Sequence, residues 1–230
     1  MKKTAIITGA AGNLGQAVVK RLLSENYQVE AVIGLNDNPY FYKADNMMVH
    51  QLDLTEEMMA ENFIRELSNQ RESLDLAVLI VGGFATGGIK ETNQQVLKKM
   101  YQLNFETAYF IARSLFAQME KQETGGQIIF IGARPALDVK EGKDLMAYAL
   151  SKSLIFKLSE LMNEEGKGKN ITTSVVVPSV IDTEFNRKSN PEANFDDWVK
   201  PETVAEVISF AASQTGKNLR QSIFKVYNNS

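Results

Sequence analysis

Tyr148 and Lys152, four residues apart in "YALSK", are the pair in this sequence best suited to chemistry. Side chains at i and i+4 project from one face of a helix. A lysine ammonium close to a phenol favours the phenolate, which brings a group of pKa near 10 within range of proton transfer at neutral pH. Tyr148 is therefore a candidate general acid, with Lys152 tuning it. Such a pair on an isolated helix is only a solvated face, so its meaning rests on its surroundings.

A second chemical signal stands near the N-terminus. "TGAAGNLG" sets Gly9, Gly12 and Gly15 at three-residue spacing, with Asn13 and Leu14 opening a helical pattern. Glycine serves where φ is positive or where a pyrophosphate must approach the backbone, and the free N–H groups of a helix start hold the anion. The turn lies between an apolar run, Thr4 to Ile7, and a helix followed by a second strand, which is the context the motif demands. Near the end of that second strand a dinucleotide site calls for a partner to the adenosine ribose. Ile33 and Gly34 hold the place, and no arginine stands there for a 2′-phosphate. Asp37, slightly beyond, would reach a ribose hydroxyl and repel a phosphate. The cofactor expected is NAD(H) or NADP(H), with NADH favoured.

These groups need a scaffold, and the apolar patterning supplies one. Strands are expected at 4–7, 28–34, 48–54, 74–83, 127–133, 171–178 and 223–227, and helices from Leu14 to near Asn26 and over 55–69, 93–121, 145–165 and 201–213. Strands alternating with helices predict an α/β fold: a Rossmann-type doubly wound parallel sheet of about seven strands, with helices on both faces. At 230 residues and 44% hydrophobic content, one domain over 1–230 is expected. Loops 34–47 and 179–200 both follow strands, where open α/β sheets bind ligands. Each contacts a ligand or is plain surface, and 179–200 carries Phe185, Phe195 and Trp198, which need covering.

Composition narrows the function. A net charge of −3 with no dense basic stretch argues against nucleic-acid or membrane binding and favours a small-molecule substrate. Without cysteine there is no disulfide, thiolate metal site or cysteine nucleophile, and the one histidine, His50, sits in a strand pattern and reads as structural. Metal-independent chemistry is expected. Glycines interrupt the N-terminal apolar run after Thr8, too early for a signal-peptide core or a membrane span, so a cytoplasmic protein is expected.

The glycine turn, "LDL" carrying Asp53, the pair Gly82–Gly83, "LNFETA" with Asn104, "YALSK" and "PSVIDT" occur in the order seen in short-chain dehydrogenases/reductases, and the chain resembles that family over essentially its whole length. The resemblance implies that Tyr148 donates or accepts the proton, that Lys152 also binds the nicotinamide ribose, and that Asn104 supports a proton-relay water. It implies too that the backbone at Asp53, Leu54, Gly82 and Gly83 lies against the adenosine, that Pro178 joins the cofactor site, and that Thr183 contacts the nicotinamide carboxamide. The family usually pairs its two long helices, here 93–121 and 145–165, with a second copy, so a homodimer or homotetramer is expected.

Two departures stand out. Asn13 replaces the usual penultimate glycine, a change cofactor binding should survive. Ala133 stands where a serine normally hydrogen-bonds the substrate carbonyl, and losing one such donor costs about 2.7–4 kcal/mol in the transition state. The dihydropteridine reductase branch tolerates alanine there, because a quinonoid dihydropterin accepts hydride into a conjugated C=N system. "VGGFATGG", "GARPALD" and "DTEFNRKSNPEANFDDW" resemble that branch, whereas Asn104 follows the general family. Phe84, Phe185 and Trp198 would wall a flat bicyclic ring or else pack loops. Arg134 would meet a polar substrate edge or cap the strand. The leading expectation is NAD(P)H-dependent reduction of a dihydropterin-like substrate. The alternatives are another small carbonyl or quinone-like substrate, with Asn104 or water replacing the missing donor, and a dinucleotide-binding protein without turnover.

Overall fold

The structure is a computed structural model that describes residues 2–229. Among these residues seven parallel strands form one sheet: β1 (Thr4–Thr8), β2 (Gln28–Ile33), β3 (Met47–Gln51), β4 (Leu76–Leu79), β5 (Gly126–Ile131), β6 (Ile171–Pro178) and β7 (Ser222–Val226). Their order is β3-β2-β1-β4-β5-β6-β7. The central strands are apolar without alternation and fully buried, as a parallel sheet covered on both faces requires, while β3 and β7 at the edges are partly exposed.

The helices are α1 (Asn13–Ser24), α2 (Glu57–Gln70), α3 (Gln94–Tyr101), α4 (Thr107–Met119), α5 (Val139–Gly142), α6 (Met146–Glu165), α7 (Glu184–Ser189) and α8 (Pro201–Ala212). On one face α1 and α8 bury Val18, Leu22, Val204 and Ile208 against the sheet. On the other, α2, α4 and α6 bury Phe63, Leu67, Ile111, Leu115 and Ile155. Each such side chain contributes roughly 1.5–3 kcal/mol by leaving water. Strand order reverses between β1 and β4, so a crevice opens beyond their carboxyl ends, where ligands of such sheets bind.

The structure adds α5, which the patterning did not announce, and departs from the expected elements in four further places, each with a local cause. The helix read as continuous over 93–121 is broken by a π-turn at Gln102–Glu106, whose extra residue turns Asn104 inward. β4 stops at Leu79 rather than at the glycine pair, because the N–H groups of Ile80 and Val81 leave the ladder for Thr8 Oγ1, at 3.0 and 3.4 Å. β3 ends before Asp53, whose carboxylate folds back to accept from the Thr55 N–H and hydroxyl at 3.0 and 2.6 Å. Segment 179–200 carries α7 and closes on itself: Asp182 N donates to Val199 O at 2.8 Å, and Val199 N to Val180 O at 2.9 Å.

At the β2–β3 edge, Glu30 is fully buried. It takes a 2.7 Å bond from His50 Nε2 and pairs with Arg71 at 2.6 Å. Among the described residues no helix is long and apolar enough to cross a membrane.

Candidate active site

The glycine turn follows directly from its sequence. Gly9 has φ +66°, and a Cβ on Gly15 would lie 2.1 Å from the Gly9 carbonyl oxygen, so α1 can start this close to β1 only with glycine there. Gly12 caps α1 without a side-chain bond, and the first turn carries no acid. The N–H groups of Asn13, Leu14 and Gly15 therefore lack intrahelical acceptors and, with the helix dipole, favour an anion. A cavity of about 550 Å³ opens over this turn. It is lined by Gly9, Gly12, Asn13, Leu14 and Gly15 and also by Asp37, Asp53, Leu54 and Gly82. Asp37 accepts from the Gly34 N–H at 2.8 Å, which pins its carboxylate beside the end of β2. The Thr55 hydroxyl and N–H hold the Asp53 carboxyl below its ordinary acidity range. This is a cradle of N–H donors with carboxylates at its far end, and it fits a dinucleotide's pyrophosphate and ribose.

A second cavity, of about 670 Å³, adjoins the first through Leu14, Ile80 and Gly82. It brings together Tyr148, Lys152 and Asn104 with Gly83, Phe84, Ala133, Arg134, Pro178 and Thr183. The ends of β4, β5 and β6 and one face of α6 deliver these residues. Lys152 is buried and donates to the Ile131 carbonyl at 2.9 Å. Tyr148 lies edge-on to Phe84, with ring centroids 5.0 Å apart. Asn104 accepts from the Gly83 N–H at 2.8 Å and donates to Ser151 Oγ at 3.0 Å; Ser151 in turn donates to the Tyr148 carbonyl at 2.9 Å. The π-turn, the β4 loop and the Tyr148 turn of α6 are thereby tied into one unit.

The electrostatics correct one expectation. Burial pushes the Tyr148 phenol up to about 12, and burial pushes the Lys152 ammonium down to about 8. The lysine charge, turned toward the Ile131 carbonyl, does not draw the phenol toward phenolate as the spacing had suggested. Desolvation wins, and Tyr148 keeps its proton through the neutral range. The pair can thus hold and deliver a proton.

Two expected residues fall outside both cavities. Trp198 is buried against Phe195, with centroids 4.9 Å apart, and Phe195 lies under the Arg187 guanidinium at 4.7 Å. Phe185 is 72% exposed on α7. Phe195 and Trp198 pack on each other instead of walling the pocket, and Phe185 projects into solvent. Sequence reasoning missed Ser151, although it adjoins Lys152 in "YALSK", and missed Ile181 and Asn186, although they stand within "PSVIDT" and "DTEFNRKSNPEANFDDW", and Glu141, which carried no motif; the last three line the second cavity. Thr183 caps α7 by accepting from Asn186 N at 3.1 Å. Among the described residues no group of three or more His, Cys, Asp or Glu could hold a metal ion.

Comparison with known proteins bears on this arrangement. A model of the short chain dehydrogenase family matches residues 3–194. The dihydropteridine reductase of Dictyostelium discoideum is 29% identical over 209 residues, covering 90% of this chain and 86% of that protein. An (S)-acetoin-forming diacetyl reductase of Staphylococcus epidermidis is 25% identical over 242 residues, covering 93% of this chain and 92% of that one. Among solved structures, ElxO with NADP bound superposes with a TM-score of 0.88 at 23% identity, over 98% of this chain and 97% of that chain, which shows the shared fold.

Proposed function

The chain belongs to the short-chain dehydrogenase family of NAD(P)-dependent oxidoreductases, and on that premise we propose that it reduces a quinonoid dihydropterin-like heterocycle, working in the cytoplasm as one catalytic domain over residues 1–230. When bound, NADH or NADPH supplies a hydride to the substrate. The turn from Gly9 to Gly15, with Asp37, Asp53, Leu54 and Gly82, would hold the dinucleotide's adenosine and pyrophosphate, and Gly83, Lys152, Pro178 and Thr183 its nicotinamide end. Tyr148 delivers the matching proton to a substrate nitrogen. Lys152 holds positive charge beneath the reacting centre, and Asn104 keeps the Tyr148 turn in register. NADH is the preferred donor, because Asp37 and Asp53 line the first cavity and, among the described residues, no lysine or arginine does.

The observation that carries the reading is Ala133, a buried methyl in the wall of the second cavity where a carbonyl reductase needs a hydroxyl donor. A substrate that spreads its incoming electron pair over a conjugated C=N system needs no such donor. The similarity to the Dictyostelium enzyme supports the same choice. The similarity to the Staphylococcus enzyme favours a second reading, a small 1,2-dicarbonyl, with Asn104 or water as the donor. Leu97, Tyr101 and Tyr109 on α3 and α4, and Leu150, Leu154 and Leu161 on α6, are exposed and support pairing with a second copy.

Steady-state oxidation of NADH and NADPH separates the readings when quinonoid dihydropterin is compared with 2,3-butanedione. A kcat/KM at least about tenfold higher for the dihydropterin is the expected result. The reverse preference moves the protein to the dicarbonyl reading. Tight dinucleotide binding with neither substrate turned over sinks both readings and moves the search to quinone-like acceptors or to a binding role without turnover.

A further inference from the structure

Arg134 follows Ala133 directly and starts a short 3-10 turn. Its carbonyl accepts from the N–H groups of Leu137 and Asp138, both at 2.9 Å, and Pro135 stiffens the next position, so the backbone that launches the side chain is pinned. Three separate elements then meet at its guanidinium. Glu141 of α5 pairs with Nη2 at 2.7 Å, and the ring of Tyr227, just beyond β7, lies under Cζ at 5.1 Å. Arg134 and Glu141 both line the second cavity with Tyr148 and Phe84, and their side chains are 26% and 37% exposed.

A guanidinium has five N–H donors in a rigid plane. Here Tyr227 holds one face and Glu141 takes one edge, and the remaining donors belong to a side chain that lines the cavity beside a carboxylate acceptor. The charges of the pair cancel. The pair itself adds no net charge to draw an anion, but it matches an uncharged planar edge that carries an acceptor next to a donor, as amino-oxo heterocycles do. Resting on the oxidoreductase reading above, we propose that the Arg134–Glu141 pair is the specificity-determining group of the substrate cavity, selecting a neutral amino-oxo heterocycle over carboxylate-bearing substrates. Sites built to hydrogen-bond a substrate edge discriminate strongly, because the wrong ligand leaves their polar groups unpaired.

Two measurements test this. The first is binding of pterin, a fluorescent amino-oxo heterocycle, to NAD⁺-loaded protein. Arg134→Gln and Arg134→Lys should each weaken binding about tenfold or more, the lysine because it keeps the charge without the fork. The second is the ratio of kcat/KM for pyruvate to that for 2,3-butanedione, a pair of similar size differing in one negative charge. Glu141→Gln frees the guanidinium and should raise the ratio about tenfold. Unchanged pterin affinity in both Arg134 variants, no pterin binding by the wild type, or an unchanged ratio in Glu141→Gln overturns the proposal. Wild-type protein that binds pterin through Arg134 yet oxidises no NAD(P)H with any acceptor upholds the pair and overturns the enzymatic reading instead.

Discussion

At the scale of the residue, the site turns on two protonation states that burial sets. Tyr148 keeps its proton up to about 12, so Tyr148→Phe removes the donor while leaving the ring packed on Phe84. We expect kcat/KM to fall by about 10²–10⁴ with NADH affinity unchanged; turnover within twofold of wild type would show that the proton comes from elsewhere. Lys152 loses its charge as pH rises through about 8, and reduction should decline above that pH. A pH profile flat to 10 would exclude a role for the ammonium. The stability sign runs the other way. The lysine is depressed in the fold from its ordinary value of 10.5, so between about 8 and 10.5 the unfolded chain binds more protons, and folded stability rises with pH there. Lys152→Met removes the buried charge and should stabilise the fold by on the order of 1–3 kcal/mol while abolishing turnover. A lowered thermal midpoint would contradict this account.

At the scale of the element, the π-turn and the glycine turn each spend regular structure on position. Asn104 joins the Gly83 N–H to Ser151 and so to the Tyr148 carbonyl. Asn104→Leu keeps the volume but takes the partner from the half-buried Gly83 N–H and one of two partners from the buried Ser151 hydroxyl, and should cost about 1–3 kcal/mol in denaturant unfolding together with a loss in kcat. Asn104→Asp can still accept from Gly83 and should recover part of both; equal damage in the two variants would argue against the hydrogen-bond chain. At the other turn, Gly15→Ala places a methyl against the Gly9 carbonyl. Dinucleotide binding, read by NADH fluorescence, should fall more than tenfold; wild-type affinity would mean that α1 can retreat without losing its hold on the anion.

At the scale of the whole molecule, stability in acid rests on a group far from the chemistry. Burial alone would raise the Glu30 carboxyl, but the hydrogen bonds from His50 and Arg71, with the Arg71 charge, outweigh it and hold the group below its ordinary value. The stabilisation is therefore full above the usual carboxylate range and is lost as pH falls through the lowered value. Arg71→Ala leaves the buried carboxylate with His50 alone and should cost about 3 kcal/mol near neutral pH. Its thermal midpoint should also fall less steeply in acid than that of the wild type; identical acid limbs would remove Glu30 from the account.

The sheet and its helices were legible in the chain before any packing was known, and so were the candidate residues of the site. β-branched apolar runs and helical periodicity are local signals, and a glycine turn or a Tyr-x-x-x-Lys pair announces its geometry within a few residues. The structure gathers Tyr148, Lys152 and the glycines, each marked by such a local signal, around two adjoining cavities. Tertiary structure alone decided the rest, because burial and convergence are sums over residues distant in the chain. Desolvation by burial set the direction of the Tyr148 and Lys152 shifts against the expectation from spacing. Packing among Arg187, Phe195 and Trp198 withdrew Trp198 from the pocket, while Phe185 was left in solvent. The meeting of Arg134, Glu141 and Tyr227, separated by up to 93 positions, has no signature in any local window.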